Sequence, residues 1–280
     1  MQKQNTFVVE HRRLKSRIFL LFAGIVIFGH FLLTISSENV SAEIFSGSPV
    51  VLPPGLSIEE YPLRGKPKCY AEKAVFKPLH GSEKEILAKH QGERDKPSEI
   101  NSSYRSVHIG KDVLVVKEVY ENNEKISVKL SRNGELIFTI SLGDQSPVDP
   151  IQGLWPFQNH WVLEVAHCRK REVEEGPHTS VYFDWNGEII QDGKSLSKQH
   201  GYQETFGFQL MNSKSFYFLK KSGKIGISYD GKEVLLGYSE VPHYHCCEPS
   251  VLNPKVFQNM VSFFARRGSN WYYVEIGVFH

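Results

Sequence analysis

Only four cysteines and three methionines occur in 280 residues, and neither sign of charge prevails, with 33 Lys and Arg against 31 Asp and Glu. The balance excludes the electrostatic footprint of a nucleic-acid-binding domain, because Arg12, Arg13, Lys15 and Arg17 fall in a leader and leave the rest nearly neutral. Gly-x-Ser-x-Gly, His-Glu-x-x-His, a Walker loop and a dinucleotide-binding glycine pattern are also missing. No standard hydrolase nucleophile, zinc-protease helix or nucleotide cradle is therefore encoded, and no cofactor is implied. The Gly-Lys pairs at Gly223 and Gly231 read as hairpins rather than phosphate loops.

One long apolar run is present. Residues 18–35 (IFLLFAGIVIFGHFLLTI) hold thirteen Leu, Ile, Val or Phe. On the membrane-insertion scale these sum to about −6 kcal/mol, which outweighs one imidazole and two glycines. A soluble core helix is seldom apolar on every face at this length, so the run reads as a transmembrane helix or signal anchor. Basic residues 1–17 precede it and Glu38 and Glu43 come after, an order that keeps the N-terminus in the cytoplasm and sends the chain after about residue 43 to the other side. The lipid bilayer is thus the expected partner of residues 18–35, and the expected location is a single-pass anchor in the cell membrane. Val40-Ser41-Ala42 offers small residues for signal-peptidase cleavage after Ala42, so secretion stays open as the alternative; the apolar run is longer than the roughly 7–15 residues of a signal core, which favours retention.

Beyond the leader, residues 36–68 carry Pro49, Pro53, Pro54, Pro62 and Pro67 with little periodicity, which predicts an extended linker or stalk. Residues 69–103 are polar and mixed. Ser82 and Glu85 form a capping-box pattern that predicts a short helix over residues 82–93, and Tyr70 to Phe76 is strand-like.

Residues 104–280 change character: Val, Ile and aromatics gather in short runs punctuated by Asn-Gly, Asp-Gly and Ser-Gly, which is the composition of an all-β domain. A period near fifty residues is visible in it. Phe157-Gln158-Asn159 and Phe257-Gln258-Asn259 precede apolar stretches, and Phe206-Gly207-Phe208-Gln209 lies between them. In a second series, strand-like segments run into Asn133-Gly134, Asn186-Gly187 and Asp230-Gly231, the signals of type I′ hairpins whose two central residues need positive φ. Several strands per unit at this period are what propeller blades show. The chain resembles propeller-type repeats, and residues 224–232 (KIGISYDGK) resemble the short WG-type β repeat. That resemblance implies propeller-like architecture and no particular activity. About three and a half units are few for a closed ring, so either an N-terminal strand such as Tyr70 to Phe76 completes the last blade, or the domain is an open β-sandwich or half-barrel.

Chemistry-bearing residues are sparse. Cys69, Cys168, Cys246 and Cys247 in an exported chain read first as disulfide partners, with three possible connectivities. His167, Cys168, His243, His245, Cys246 and Cys247 form the alternative, a zinc or copper(I) site or a vicinal redox pair, although their spacing is not that of a standard zinc module. Glu164, Asp184, Glu204, Asp230 and Glu275 recur at comparable places in the units and are the candidates for an acid–base pair acting on glycans; turn-forming and surface roles compete for each. Trp155, Trp161, Trp185, Trp271, Tyr272 and Tyr273 suit either a carbohydrate platform or packing between blades. The functional expectation is a non-catalytic binding or scaffold domain for a protein or glycan, with an exported glycan hydrolase and a metal or redox role as alternatives.

Overall fold

Alternating apolar side chains and tight turns make strands the dominant element, and the all-β expectation holds. The computed structural model describes residues 50–67, 104–122, 125–175, 178–244, 253–256 and 258–279. The apolar run at 18–35, the predicted helix at 82–93, the strand-like Tyr70 to Phe76, and Cys69, His245, Cys246 and Cys247 lie outside them. Among the described residues no helix is long and apolar enough to cross a membrane.

Among the described residues, strand β1 (Ser57–Leu63) comes first, and four up-and-down units succeed it. The first unit comprises β2 (Tyr104–Ile109), β3 (Asp112–Asn122), β4 (Lys125–Arg132) and β5 (Glu135–Asp144). The second is β6 (Ile151–Phe157), β7 (His160–Glu175), β8 (His178–Gln191) and the short β9 (Lys194–Ser195), with the one-turn helix α1 (Leu196–His200) after it. The third is β10 (Glu204–Met211), β11 (Lys214–Lys221), β12 (Lys224–Tyr229) and β13 (Lys232–Tyr238). In the last, β14 (Lys255–Val256), β15 (Met260–Arg267) and β16 (Asn270–Gly277) are joined by β1 from the far end of the chain.

The first two units share a curled, half-barrel sheet. A single parallel bridge, Gly143 to Cys168, joins them. A β-carbon on Gly143 would lie 2.4 Å from the Cys168 carbonyl oxygen, so the bridge requires glycine there. Three apolar layers stack the units face to face. Leu114, Val128, Leu163 and Val165 fill the half-barrel; Val162, Ile189, Phe208 and Leu219 lie between the second and third units; Phe206, Phe218, Phe263 and Val274 lie between the third and fourth. Strand β7 serves two layers through its pleat: Trp161, Leu163 and Val165 enter the half-barrel, whereas Val162 joins the next layer.

Two predicted features need correction. Residues 57–63, expected in the stalk, form β1, which pairs antiparallel with β16 from Ser57–Gly277 to Leu63–Trp271. Pro62 is tolerated because, among the described residues, β1 pairs with β16 alone and forms the edge of its sheet. Glu60 holds the strand in place, accepting hydrogen bonds from the Tyr238 hydroxyl and from Arg267 Nη2 at 2.6 Å. Arg267 in turn lies 4.5 Å from the Tyr238 ring centre and 5.0 Å from that of Tyr272.

Asn186-Gly187, expected as a hairpin turn, lies inside β8, opposite His167 and Ala166. The Asn133-Gly134 and Asp230-Gly231 turns do form, with φ of 52° and 87° and of 52° and 74°. Gly187 answers to a different demand. Its added β-carbon would sit 2.6 Å from the Thr205 carbonyl oxygen and 2.8 Å from the Tyr244 hydroxyl, so glycine there permits the close approach of β10. The fifty-residue phase is not kept by the other markers either. Gln158 lies in the β6–β7 turn with φ 55°, but Phe206 to Gln209 lies within β10, where the register shifts by a bulge.

Candidate functional site

A group of buried ionisable side chains lies where β7, β8 and β10 meet the segment 241–244. Glu164 projects from β7 toward the β10 bulge, where Gly207 (φ 66°) turns two successive N–H groups outward. Glu164 takes both, with Gly207 N to Oε1 at 2.8 Å and Phe208 N to Oε2 at 2.6 Å, and it accepts the Tyr244 hydroxyl on Oε1 as well. Successive N–H groups of this kind make a nest suited to an anion. Here a carboxylate of the chain itself fills it.

Glu204, at the start of β10, accepts the Gly187 N–H at 2.8 Å and His243 Nε2 at 3.0 Å on the same oxygen, Oε1. His243 Nδ1 meets the Val241 carbonyl oxygen at 2.7 Å. Both ring nitrogens thus face oxygen acceptors. The ring lies parallel to Phe206 with centroids 3.6 Å apart, which fixes its plane.

The two carboxyl groups are shifted in opposite directions. Burial pushes Glu164 above the usual carboxylate range, and the Tyr244 hydroxyl and the two N–H donors offset this only in part. Burial also acts to raise Glu204, but the hydrogen bond and charge of His243, with the Gly187 N–H and Lys220, outweigh it and hold that carboxyl below its usual range. Burial and Glu164 push Tyr244 well up, so its hydroxyl stays a donor. A cavity of about 340 Å³ adjoins the cluster and is walled by Trp155, Phe206, Phe208, Tyr244 and Pro254.

The remaining predicted acids are elsewhere. Asp184 pairs with Arg171, whose Nη2 lies 3.0 Å from Oδ1; Asp230 sits in the β12–β13 turn 3.0 Å from Lys214 Nζ; Glu275 is fully buried on β16 and accepts the Tyr273 hydroxyl at 2.8 Å. The aromatics do not form a platform. Trp161, Trp271 and Tyr273 are buried, Trp155 packs on Phe208 with centroids 5.1 Å apart, and Trp185 stacks on Phe183.

Cys168 is a buried free thiol, raised by burial against the bond from Ser146. Among the described residues no three of His, Cys, Asp and Glu are grouped to hold a metal. His167 and His243, both named for such a site, each hydrogen-bond a carboxylate, and His245, Cys246 and Cys247 lie outside the described residues.

His167 opens onto a second cavity, of about 370 Å³, that sequence reasoning did not anticipate. Its Nε2 lies 2.6 Å from Glu188 Oε2. That bond, against the opposing effect of burial, holds Glu188 below the usual range, helped by Ser195 and Lys198. Asn186, Ser197, Lys198 and Gln203 also line the cavity. Glu188 was hidden in the sequence by the Asn-Gly pair before it, which reads as a turn and draws attention from a buried carboxylate on a continuous strand.

No protein-family model matches the chain, and no curated protein matches its sequence.

Proposed function

We propose that this chain is an exported protein held in the cell membrane by residues 18–35, whose propeller-like β domain lies outside the cytoplasm and binds a ligand without catalysis. The observation that carries the non-catalytic reading is the use already made of Glu164 and Glu204. Their oxygens accept the Gly207, Phe208 and Gly187 N–H groups, the Tyr244 hydroxyl and His243, bonds that tie β7, β8, β10 and the segment 241–244 together. A general acid or nucleophile needs a carboxyl oxygen within reach of substrate, whereas both oxygens of Glu164 and Oε1 of Glu204 are engaged in holding sheets and both side chains are buried.

The propeller-like arrangement is supported by four successive four-stranded units, stacked through three apolar layers, with β1 supplying the outer strand of the last. Export and anchoring are supported by the basic–apolar–acidic order of the leader. Secretion after cleavage at Ala42 is the alternative, and the gel mobility of the mature protein against a chain starting at Glu43 separates the two.

Glycan hydrolysis is the second reading, favoured by the opposite shifts of Glu164 and Glu204, since acid–base pairs are made by pushing two pKa values apart. One experiment decides between them. The purified full chain and Glu204→Gln are assayed for reducing-end release from a glycan panel and for retention on the same immobilised glycans and on membrane proteins. Retention without turnover is expected. Turnover by the wild type that Glu204→Gln abolishes at unchanged Tm would establish the hydrolase instead.

A further inference from the structure

The two cavities differ in what their polar groups have left to give. Around the 340 Å³ cavity the buried groups are spent: Glu164 holds three donors, His243 two acceptors, and Asn253 bonds both the N–H and the carbonyl of Phe264, so that among the described residues only Gln152 Oε1 and Trp155 Nε1 stand open in its lining. Around the 370 Å³ cavity more polar groups are open. Among the described residues nothing bonds the Asn186 amide or His167 Nδ1, and Gln203 uses only Oε1, which accepts the Gly223 N–H at 2.7 Å and leaves Nε2 free. Lys198 Nζ comes no closer than 4.0 Å to Glu188 Oε1.

The set is mixed in kind and balanced in charge. Glu188 accepts only, Lys198 donates only, and Asn186, Gln203 and Ser197 offer both functions. The carboxylate of Glu188 and the ammonium of Lys198 cancel, so an anion and a cation would each meet one adverse charge. A ligand with no charge and many hydroxyls meets none, because each hydroxyl both donates and accepts. Glu188 is nine-tenths buried and is fixed in place by His167 and Ser195, so the acceptor at the base of the cavity is pre-set before any ligand arrives. The volume lies at the lower end of the range of small-ligand sites, about 300–1,000 Å³, and suits a single sugar residue with its neighbours outside the mouth.

We infer that this cavity is the domain's ligand site and that it takes a neutral, hydroxyl-rich ligand, one carbohydrate residue of a glycan, held by Glu188 and His167 at the base and by Asn186, Lys198 and Gln203 at the mouth. This rests on the binding reading above and names its site and ligand class. The side chains of Asn186, Lys198 and Gln203 are exposed, and the one hydrogen bond they make to the fold among the described residues is the exposed bond from the Gly223 N–H to Gln203, so truncating them leaves the fold intact, whereas His167→Ala would strip a buried carboxylate of its partner.

The test uses the full chain in detergent on an array of neutral oligosaccharides, beside an array of sulfated and sialylated ones, with the single variants Asn186→Ala, Lys198→Ala and Gln203→Ala. Retention on neutral oligosaccharides is expected, weakened about five- to tenfold by each variant at unchanged Tm, as loss of one ligand hydrogen bond predicts. Equal retention by all three variants would place the sugar elsewhere and overturn the inference, as would a preference for the acidic array. Retention on no oligosaccharide, with capture of a membrane protein instead, overturns the inference and leaves the binding reading standing. Turnover of a glycan by the wild type overturns the binding reading, and whether the three variants reduce its KM then decides the site separately.

Discussion

Replacing Gly187 with alanine separates two demands that favour glycine equally in a sequence. In a type I′ turn Gly187 would serve by positive φ and Asn186 would share the role; in β8 it serves by having no β-carbon. The new methyl would meet the Thr205 carbonyl oxygen at 2.6 Å, the Tyr244 hydroxyl at 2.8 Å and Phe206 Cβ at 2.9 Å. Two of the three belong to β10 backbone or its first side-chain atom, so relief requires that β10 move from β8. An overpacked methyl of this kind costs about 1–3 kcal/mol. The same displacement stretches the Gly187 N–H bond to Glu204, and a hydrogen bond to a charged group contributes roughly 1.5–3 kcal/mol. Because one movement produces both losses, they overlap, and the expected total is about 3 kcal/mol. For a domain of this size that lowers Tm by roughly 6–12 °C in differential scanning calorimetry. Asn186→Ala, one position away and exposed, is expected to change stability by less than about 0.5 kcal/mol. Gly134→Ala is the opposite control, with φ 87° and nothing within 4 Å of the added carbon, and it should cost only the left-handed backbone strain of about 1–2 kcal/mol. A Gly187→Ala loss no larger than that of Gly134→Ala, or an equal loss in Asn186→Ala, would refute the close-approach account.

The opposite shifts of the two buried acids give opposite pH signatures. Glu204 is held low, so the stability it contributes is present above the unfolded-state value of roughly 4.3 and is lost as pH falls through its native value; Glu164 is held high, so its contribution is present at low pH and is lost as pH rises through its native value. Glu204→Gln should therefore flatten the acid limb of the Tm–pH curve and Glu164→Gln the limb on the rising-pH side, and superimposable curves for the two variants would contradict the assignment. Cys168, 6% exposed and raised by burial, should react with iodoacetamide only after unfolding, as tracked by peptide mass spectrometry without reductant. Labelling at equal rates in native and denatured protein would show that the thiol is open, and no labelling in either would show that it is disulfide-bonded.

Features set by neighbours in sequence were legible. The all-β class comes from runs of Val, Ile and aromatic residues, and the turns at Asn133-Gly134, Ser222-Gly223 and Asp230-Gly231 come from two residues each. Glu164 and Glu204 stood out only as acids recurring at comparable places in the units, alongside Asp184, Asp230 and Glu275. Other features depended on distant partners. Nothing near Ser57–Leu63 announces a strand, since prolines dominate the stretch and the partner β16 lies more than two hundred residues away. Gly187 has the local signature of a turn, and only the proximity of Thr205 reveals its other use. The pairing of His243 with Glu204 and of Tyr244 with Glu164 crosses 39 and 80 residues, so it could not be read from the His-Tyr-His-Cys-Cys string, which suggests metal chemistry when seen alone.

By itself the sequence determined the β character of the chain, because turn propensity and strand patterning are sums over adjacent residues; hydrophobic length against bilayer thickness is likewise a local sum, and it is what the proposal of a leader rests on. Tertiary structure alone decided which carboxylates are consumed in holding strands and which face open space. Buried polar groups must find partners wherever the fold brings them, and at Glu164, Glu204 and Glu188 those partners come from other strands and from the segment 241–244, at distances along the chain that no local pattern encodes.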